Sequence, residues 1–328
     1  MNNINTPYYD LSPDVILNAI DSLGYQCSGS LQALNSFENR VYQVGIEDAA
    51  PLIAKFYRPN RWSDAAILEE HQFAAELLDH EIPVVAPLAI NSGATLHYYQ
   101  NFRFALFPRK GGRALELDNL EQLEWMGRFI GRLHAVATQQ PFQHRLCMDV
   151  SQYGYTPYRF LLEQNIIPPD IKHDYCTVVE ALLEQIAAAF TRVGPIKNIR
   201  LHGDCHAGNV LWNDAGPHIV DLDDCLSGPA IQDMWMLVCE SGDSEYELSP
   251  QWQRILQGYR MFHHFDNRQL QLIESLRSLR MIHYCAWLAK RWEDPAFPLN
   301  FPWFNKPRYW QEQLQDLREQ LYLLKSSE

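Results

Sequence analysis

The chain has 328 residues, 47% of them hydrophobic and 20% charged, with a formal net charge of −13. That length exceeds one typical core and predicts two lobes or domains, and the acidic balance excludes broad attraction to nucleic acid, which needs a basic face. The opening MNNINTPYYDLSPD has no basic region and no apolar run, and no stretch approaches the ~20 apolar residues of a bilayer span, so neither a secretory signal nor a membrane segment is expected. Ser12 is placed to cap a first helix, with Pro13 at its first position and Val15, Ile16, Ala19, Ile20 and Leu23 on one apolar face before Gly24 ends it. Asn39 to Ile46 and Pro51 to Tyr57 then read as strands joined by the short acidic turn GIEDAAP. Ser63 opens a second helix, apolar at Ile67, Phe73, Ala74, Leu77 and Leu78 and closing near His80. After PVVAPLAI, the runs ATLHYYQ and FRFALFP alternate like a hairpin turning near Asn101.

Beyond Gly111 and Gly112 the pattern turns helical. From Asn119 onward Leu123, Met126, Ile130 and Leu133 share a face, and further helices are predicted through CTVVEALLEQIAAAF, over 255–292 and over 308–324. A small α+β part thus joins a larger helical part near residues 108–113. Seven cysteines (Cys27, Cys147, Cys176, Cys205, Cys225, Cys239 and Cys285) form no CxxC pair, which argues against a disulfide framework or zinc ribbon and for a reducing, cytoplasmic setting.

The strongest chemical signal is LHGDCHAGNVLW, residues 201–212, followed after a turn by the apolar strand His218-Ile219-Val220 and then Asp221-Leu222-Asp223-Asp224. Phosphoryl transfer needs a carboxylate to orient and deprotonate the acceptor hydroxyl, and cations to absorb charge on the phosphates. Asp204 and Asn209, five residues apart, place a base and an oxygen ligand on one loop, and Asp221 ends the next strand. An amide oxygen with a carboxylate suits Mg²⁺, which keeps several waters and takes other ligands from ATP. Two competing readings use the same residues: His202-x-Asp204-x-His206 as a zinc-binding strand, and a loop whose polar groups merely satisfy one another. The first lacks an evident completing ligand, and the second does not explain the joint placement of Asp204, Asn209 and Asp221.

The pattern H-G-D-x-x-x-x-N, apolar strand, Asp resembles the kinase-like superfamily, in its aminoglycoside phosphotransferase and choline kinase branch. The resemblance implies a two-lobed protein-kinase-like α+β fold, with a small antiparallel-sheet lobe over residues 1–107 that covers ATP, a hinge at 108–112 and a helical catalytic lobe over 113–328. It further implies Asp204 as catalytic base, Asn209 and Asp221 as Mg²⁺ ligands with Asp221 bridging the phosphates, His202 as a brace of the loop, and Asp233 as an anchor for the loop backbone. Lys55, inside the apolar strand Ile53-Ala54-Lys55-Phe56, fits the lysine that contacts the α- and β-phosphates. Its partner should lie on the helix over 63–80, where Glu69 and Glu70 compete; the distance of Glu70 from the Ile82-Pro83-Val84 turn is similar to that of the glutamate in related sequences, which implies Glu70 and leaves Glu69 open. No GxGxxG occurs; NSFENRVY is similar to a segment that aminoglycoside-kinase-like proteins carry in place of the glycine loop, which implies that Ser36 and its backbone amides meet the β- and γ-phosphates, although a plain hairpin turn would look much the same. Phe104 to Pro108 would carry the adenine, through backbone contacts.

The runs LNSFENRVYQ, KFYRPNRWS, ILEEHQFAAEL, VDLDD, GPAIQDMWML and AWLAKRWEDPAFPLNFPW look like the bacterial stress response kinase A group over nearly the whole chain. That implies a cytoplasmic, Mg·ATP-dependent kinase acting on serine and threonine of protein substrates in a stress response; the charge and the short apolar runs lead to no expected nucleic-acid or membrane partner, and a monomer is the default. A small-molecule kinase of the aminoglycoside or choline type and a nucleotide-binding pseudokinase are the alternatives. The tryptophan-rich stretch 287–303 reads as core packing under an extended strap held by Pro295, Pro298 and Pro302, or else as an aromatic wall of the acceptor site.

Overall fold

The computed structural model describes residues 7–91, 93–238 and 249–326, so Cys239 lies outside the described residues. In chain order the elements are α1 (Pro13–Asp21), β1 (Cys27–Ala33), β2 (Arg40–Ile46), β3 (Leu52–Phe56), α2 (Asp64–Asp79), β4 (His97–Tyr99), β5 (Phe102–Pro108) and β6 (Arg113–Ala114). There follow α3 (Leu120–Ala137), α4 (Thr156–Glu163), α5 (Lys172–Val193), β7 (Ile199–Leu201), β8 (Val210–Asn213), β9 (Gly216–Ile219) and β10 (Leu226–Gly228). The last are α6 (Gln232–Trp235), α7 (Pro250–Tyr259), α8 (Ile273–Lys290), α9 (Ala296–Asn300) and α10 (Pro307–Ser326). Two compact units result. One takes in the chain up to Leu115 with Phe142–Arg145 and Gly208–Asp224; the other holds Glu116–Pro141, Leu146–Ala207 and the chain from Cys225.

The first unit is built on an antiparallel sheet in the order β1-β2-β3-β5-β4. Ser12 accepts the Val15 amide at 3.3 Å and starts α1, whose Ile16, Ala19 and Ile20 bury against Val44, Ala54, Phe56, Phe104 and Leu106. Phe56 stacks on Phe104, centroids 5.3 Å apart. Successive strand residues face opposite sides, so the pattern that sends Ala54 and Phe56 to α1 sends Lys55 to the other face. There Ala105 packs with Tyr57, Leu96 and Ile67 of α2. Ser63 caps α2 through the Ala66 amide at 3.2 Å. The β8–β9 hairpin is fastened to the same unit by Val85 N donating to Ile219 O and Ile219 N to Pro83 O, both at 3.0 Å.

The second unit is helical, with one small pair, β7 and β10. Helices α3 and α7 touch backbone to backbone: a Cβ on Gly127 would lie 2.0 Å from Ile255 O, and one on Gly258 2.1 Å from Glu124 O. Only glycine permits that approach. Arg200, buried on β7, donates to the carbonyls of Val136 and Ala137 at the end of α3, where unpaired helix carbonyls need donors. Among the described residues no helix is long and apolar enough to cross a membrane.

Two expectations are corrected. The stretch 255–292 is two helices: α7 ends at Tyr259, and a 3₁₀ turn over Asn267–Leu272 precedes α8. Asp266 explains the break, because its carboxylate caps the Arg268 amide at 3.1 Å and so favours a new helical start. Residues 287–303 include the short helix α9 in place of an extended strap. Pro295 precedes its first turn and Pro298 falls within it, where a missing N–H breaks no helical bond. Trp287 meets Phe297 and Phe301 at 5.0 and 5.8 Å, an aromatic cluster within the helical unit.

Candidate active site

In the first unit Lys55 Nζ is the hub. It lies 3.0 Å from Asp221 Oδ1, 3.0 Å from Asp223 Oδ1 and 3.5 Å from Glu70 Oε1. Burial disfavours its ammonium, but Asp221, Asp223 and Glu70 outweigh burial and hold Lys55 charged, its pKa well above the usual lysine value. Burial pushes Glu70 the other way, up to about 7. It is the carboxylate farthest from Lys55 of the three, and Arg145 Nη1 stands 3.9 Å from its second oxygen. Glu69 points elsewhere, and its carboxylate accepts the backbone N–H groups of Gln143, His144 and Arg145 at 2.5, 2.8 and 3.0 Å. Glu70, not Glu69, is therefore the helix residue that meets Lys55.

Asn209 and Asp221 sit at one end of the β8–β9 hairpin. Val210 pairs with Ile219, and the next rung has Val220 N donating to Asn209 O at 3.0 Å, so Asp221 follows directly beside Asn209. Asp221 holds φ at +62°, and its side chain is half exposed. A non-glycine residue in that region is uncommon and costs about 1 kcal/mol or more. An amide oxygen and a carboxylate at one hairpin end form a donor set that fits a hard divalent cation with open positions for water and substrate oxygens.

Asp223 and Asp224 are held by Arg61, which sequence reasoning missed; its guanidinium contacts both carboxylates and reaches Glu38 at 3.7 Å. Burial raises the Asp223 carboxyl, but Arg61, Lys55 and Arg145 together hold it below the usual carboxylate range. Arg145 also donates to the Asp223 carbonyl and lies 4.0 Å above the Trp62 ring. The 34–39 turn is braced by Arg58, which donates to the carbonyls of Glu38 and Phe37 at 2.8 and 3.2 Å. The Ser36 hydroxyl donates to Asn39 O at 3.2 Å, closing that turn on itself.

In the second unit the segment after β7 is held from behind. His202 N and Gly203 N donate to the two carboxylate oxygens of Asp233 at 2.7 and 2.8 Å, and His134 Nε2 lies 3.1 Å from the same carboxylate. Gly203 needs its glycine, with φ at +87°. His202, fully buried, accepts the Asp204 amide at Nδ1, 3.3 Å away. Asp204 meets Arg280 of α8 at 2.6 Å and His206 at 3.4 Å. Burial raises the Asp204 carboxyl, but the His206 hydrogen bond and the Arg280 charge prevail and hold it well below the usual range. Nothing in LRSLRMIHY marks Arg280 in the sequence, since the contact spans 76 positions. Among the described residues no group of three His, Cys, Asp or Glu side chains gathers as a metal cage.

A model of the phosphotransferase enzyme family matches residues 30–273. The chain is 44% identical to stress response kinase A of Escherichia coli O157:H7 over 99% of its own length and 97% of that protein's. It is 43% identical, over the same shares, to a Salmonella typhimurium protein named serine/threonine protein kinase RdoA. Among solved structures, the amicoumacin kinase hAmiN in complex with AMP-PNP superposes with a TM-score of 0.68 at 20% identity, covering 89% of this chain and 90% of that one. A microcompartment-associated aminopropanol kinase gives 0.67 at 16%, covering 96% and 97%. These structures establish the kinase-like fold, a small antiparallel-sheet lobe with a larger helical one. With the family model and the full-length relatives, they place this chain in the phosphotransferase enzyme family, within its stress response kinase A group.

Proposed function

We propose that the chain is a Mg²⁺- and ATP-dependent kinase that transfers the γ-phosphate to serine and threonine hydroxyls of proteins, in the cytoplasm and in a stress response. The observation that carries the reading is Lys55 Nζ set between Glu70 and Asp221, 3.0 Å from the latter, with Asn209 beside Asp221. Lys55 would bind the α- and β-phosphates, oriented by Glu70. Asn209 and Asp221 would hold Mg²⁺, whose charge, when bound, neutralises the β- and γ-phosphate oxygens. The 34–39 turn, Ser36 included, would cover the phosphates through backbone amides. Asp204, on the loop fixed by Asp233, would accept the acceptor's proton as its oxygen attacks the γ-phosphorus and ADP departs.

The protein acceptor is supported by full-length relatives named as stress response and serine/threonine kinases. A competition assay tests it: one reaction with Mg·[γ-³²P]ATP, a mixture of proteins, choline and an aminoglycoside panel. Phosphoserine or phosphothreonine is expected. Label on the small molecules alone overturns the acceptor and keeps the chemistry; ATP binding without transfer points to a pseudokinase.

The charge around Asp204 gives a second expectation. A base must be ionised, and Arg280 and His206 keep this one ionised into acid. Arg280→Ala raises the Asp204 pKa toward about 3.9, so the acidic limb of the kcat/KM profile moves to higher pH while the alkaline limb stays. An unmoved acidic limb would show that Arg280 does not act through Asp204.

A further inference from the structure

The helical unit contains a cavity of about 460 Å³ apart from the residues around Asp204. Neither Arg280 nor His206 lines it. Its walls combine apolar surface from Pro195, Ile196 and Ile199 with the cationic or protonatable groups Lys197, His263 and His264. The carboxylate that lines it, Asp266, is already gripped by Arg268, through Nε at 3.0 Å and Nη2 at 2.6 Å. Arg268 is spent further on the carbonyls of Val193 and Pro195. The groups left over are therefore Lys197, a fixed cation, and the two histidines, which offer ring N–H donors whether neutral or protonated. Burial, then the charges of His134, His264 and Lys197, depress the His263 pKa, as expected where positive groups face one another. The size lies within the range of small-molecule sites, and the mixture of cationic and apolar wall suits an anion with an organic body.

The same walls connect to the loop that carries Asp204. Tyr259, in the wall, has its hydroxyl 2.9 Å from His134 Nδ1, and His134 Nε2 is 3.1 Å from the Asp233 carboxylate that holds His202 and Gly203. Gln269, also in the wall, accepts the Ile231 amide at 3.1 Å, next to Gln232, which donates to Gly203 O at 2.9 Å. Helix α7, which carries Tyr259, is locked on α3: a Cβ at Gly131 would lie 2.5 Å from Tyr259 O. A displacement of Tyr259 would thus be felt by His134, through the hydroxyl, as well as by the Phe265 ring 5.7 Å away.

We infer that this cavity is an effector site for a small organic phosphate, bound by Lys197, His263 and His264, whose occupancy is transmitted to the Asp204 loop through Tyr259 and Gln269. The binding stands alone; the effect on turnover rests on the kinase reading above. Coupling of this kind typically changes a second site's affinity ~5–150-fold.

Calorimetry on the full chain, its nucleotide site filled with Mg·AMP-PNP, would use ribose 5-phosphate and 3-phosphoglycerate as probes, with ribose, glycerate and inorganic phosphate for comparison. At least one organic phosphate is expected to bind saturably, more tightly than inorganic phosphate, and to shift the imidazole NMR signals of His263 and His264. Lys197→Glu, at an exposed position, should weaken that binding about tenfold or more. Tyr259→Phe should keep the affinity within a few-fold and abolish the ligand's effect on phosphate transfer. Binding by none of the probes, equal binding of inorganic phosphate, or binding indifferent to Lys197→Glu overturns the site. Binding that leaves transfer unchanged in an active wild-type enzyme overturns the coupling; an inactive wild type that still binds removes the kinase reading and leaves the site standing.

Discussion

Lys55→Met is expected to destabilise the protein by about 3 kcal/mol at pH 8, by less at pH 5.5, and to abolish phosphate transfer. Removing one partner of a buried ion pair leaves an uncompensated charge, at a cost of ~3–5 kcal/mol. Asp223 keeps Arg61 in direct contact and Asp221 is half exposed, so the burden falls on buried Glu70, from which the Arg145 guanidinium stands 3.9 Å away. Burial already raises Glu70 from 4.5 to about 7 against the pull of Lys55, and the variant raises it further. An acid whose folded pKa is raised contributes no penalty below its unfolded pKa; the penalty grows as pH climbs toward the folded value. The deficit should therefore widen from pH 5.5 to pH 8, as urea unfolding at the two pH values will show. A deficit equal at both would mean that Glu70 does not depend on Lys55 for its charge.

Asp221→Asn should lower the transfer rate by about 10³-fold, the equivalent of about 4 kcal/mol of lost charge stabilisation at the phosphates, while the fold is kept. Asparagine is the informative replacement because Asp221 sits at φ +62°, a conformation Asn tolerates and Ala resists. Asp221→Ala would confound a lost ligand with backbone strain. The variant should need far more Mg²⁺ for half-maximal rate, and Lys55 should retain Glu70 and Asp223 as partners. A wild-type Mg²⁺ titration curve from Asp221→Asn would remove Asp221 from the metal site.

Local structure was legible wherever a short stretch of chain decides it. Ser12 and Ser63 announce the starts of α1 and α2, and the alternation in Ile53-Ala54-Lys55-Phe56 turns Lys55 away from the α1 core. The choice between Glu69 and Glu70 was open in the sequence, yet periodicity bears on it: Glu70 falls at three and four residues from Ile67 and Ala74, both fully buried on α2. Glu69 lies one step around the helix and meets the 143–145 backbone instead. The cations that set the site's electrostatics were not legible. Arg61 reaches Asp223 across 162 positions and Arg145 reaches its carbonyl across 78, and neither carries a periodic or turn signal. Asp266 was hidden differently: an apolar pattern over 255–292 continues through it, and its competition for a backbone amide outweighs that pattern.

The most direct test of the account is a rapid-quench measurement of γ-phosphate transfer from saturating Mg·ATP to a protein acceptor, comparing wild type with Asp204→Ala. Loss of a positioned base predicts a fall of ~10²–10⁴-fold, with nucleotide affinity unchanged because Lys55, Asn209 and Asp221 are intact. Equal rates in the two proteins, or a wild type that binds Mg·ATP and never transfers its phosphate, would contradict it.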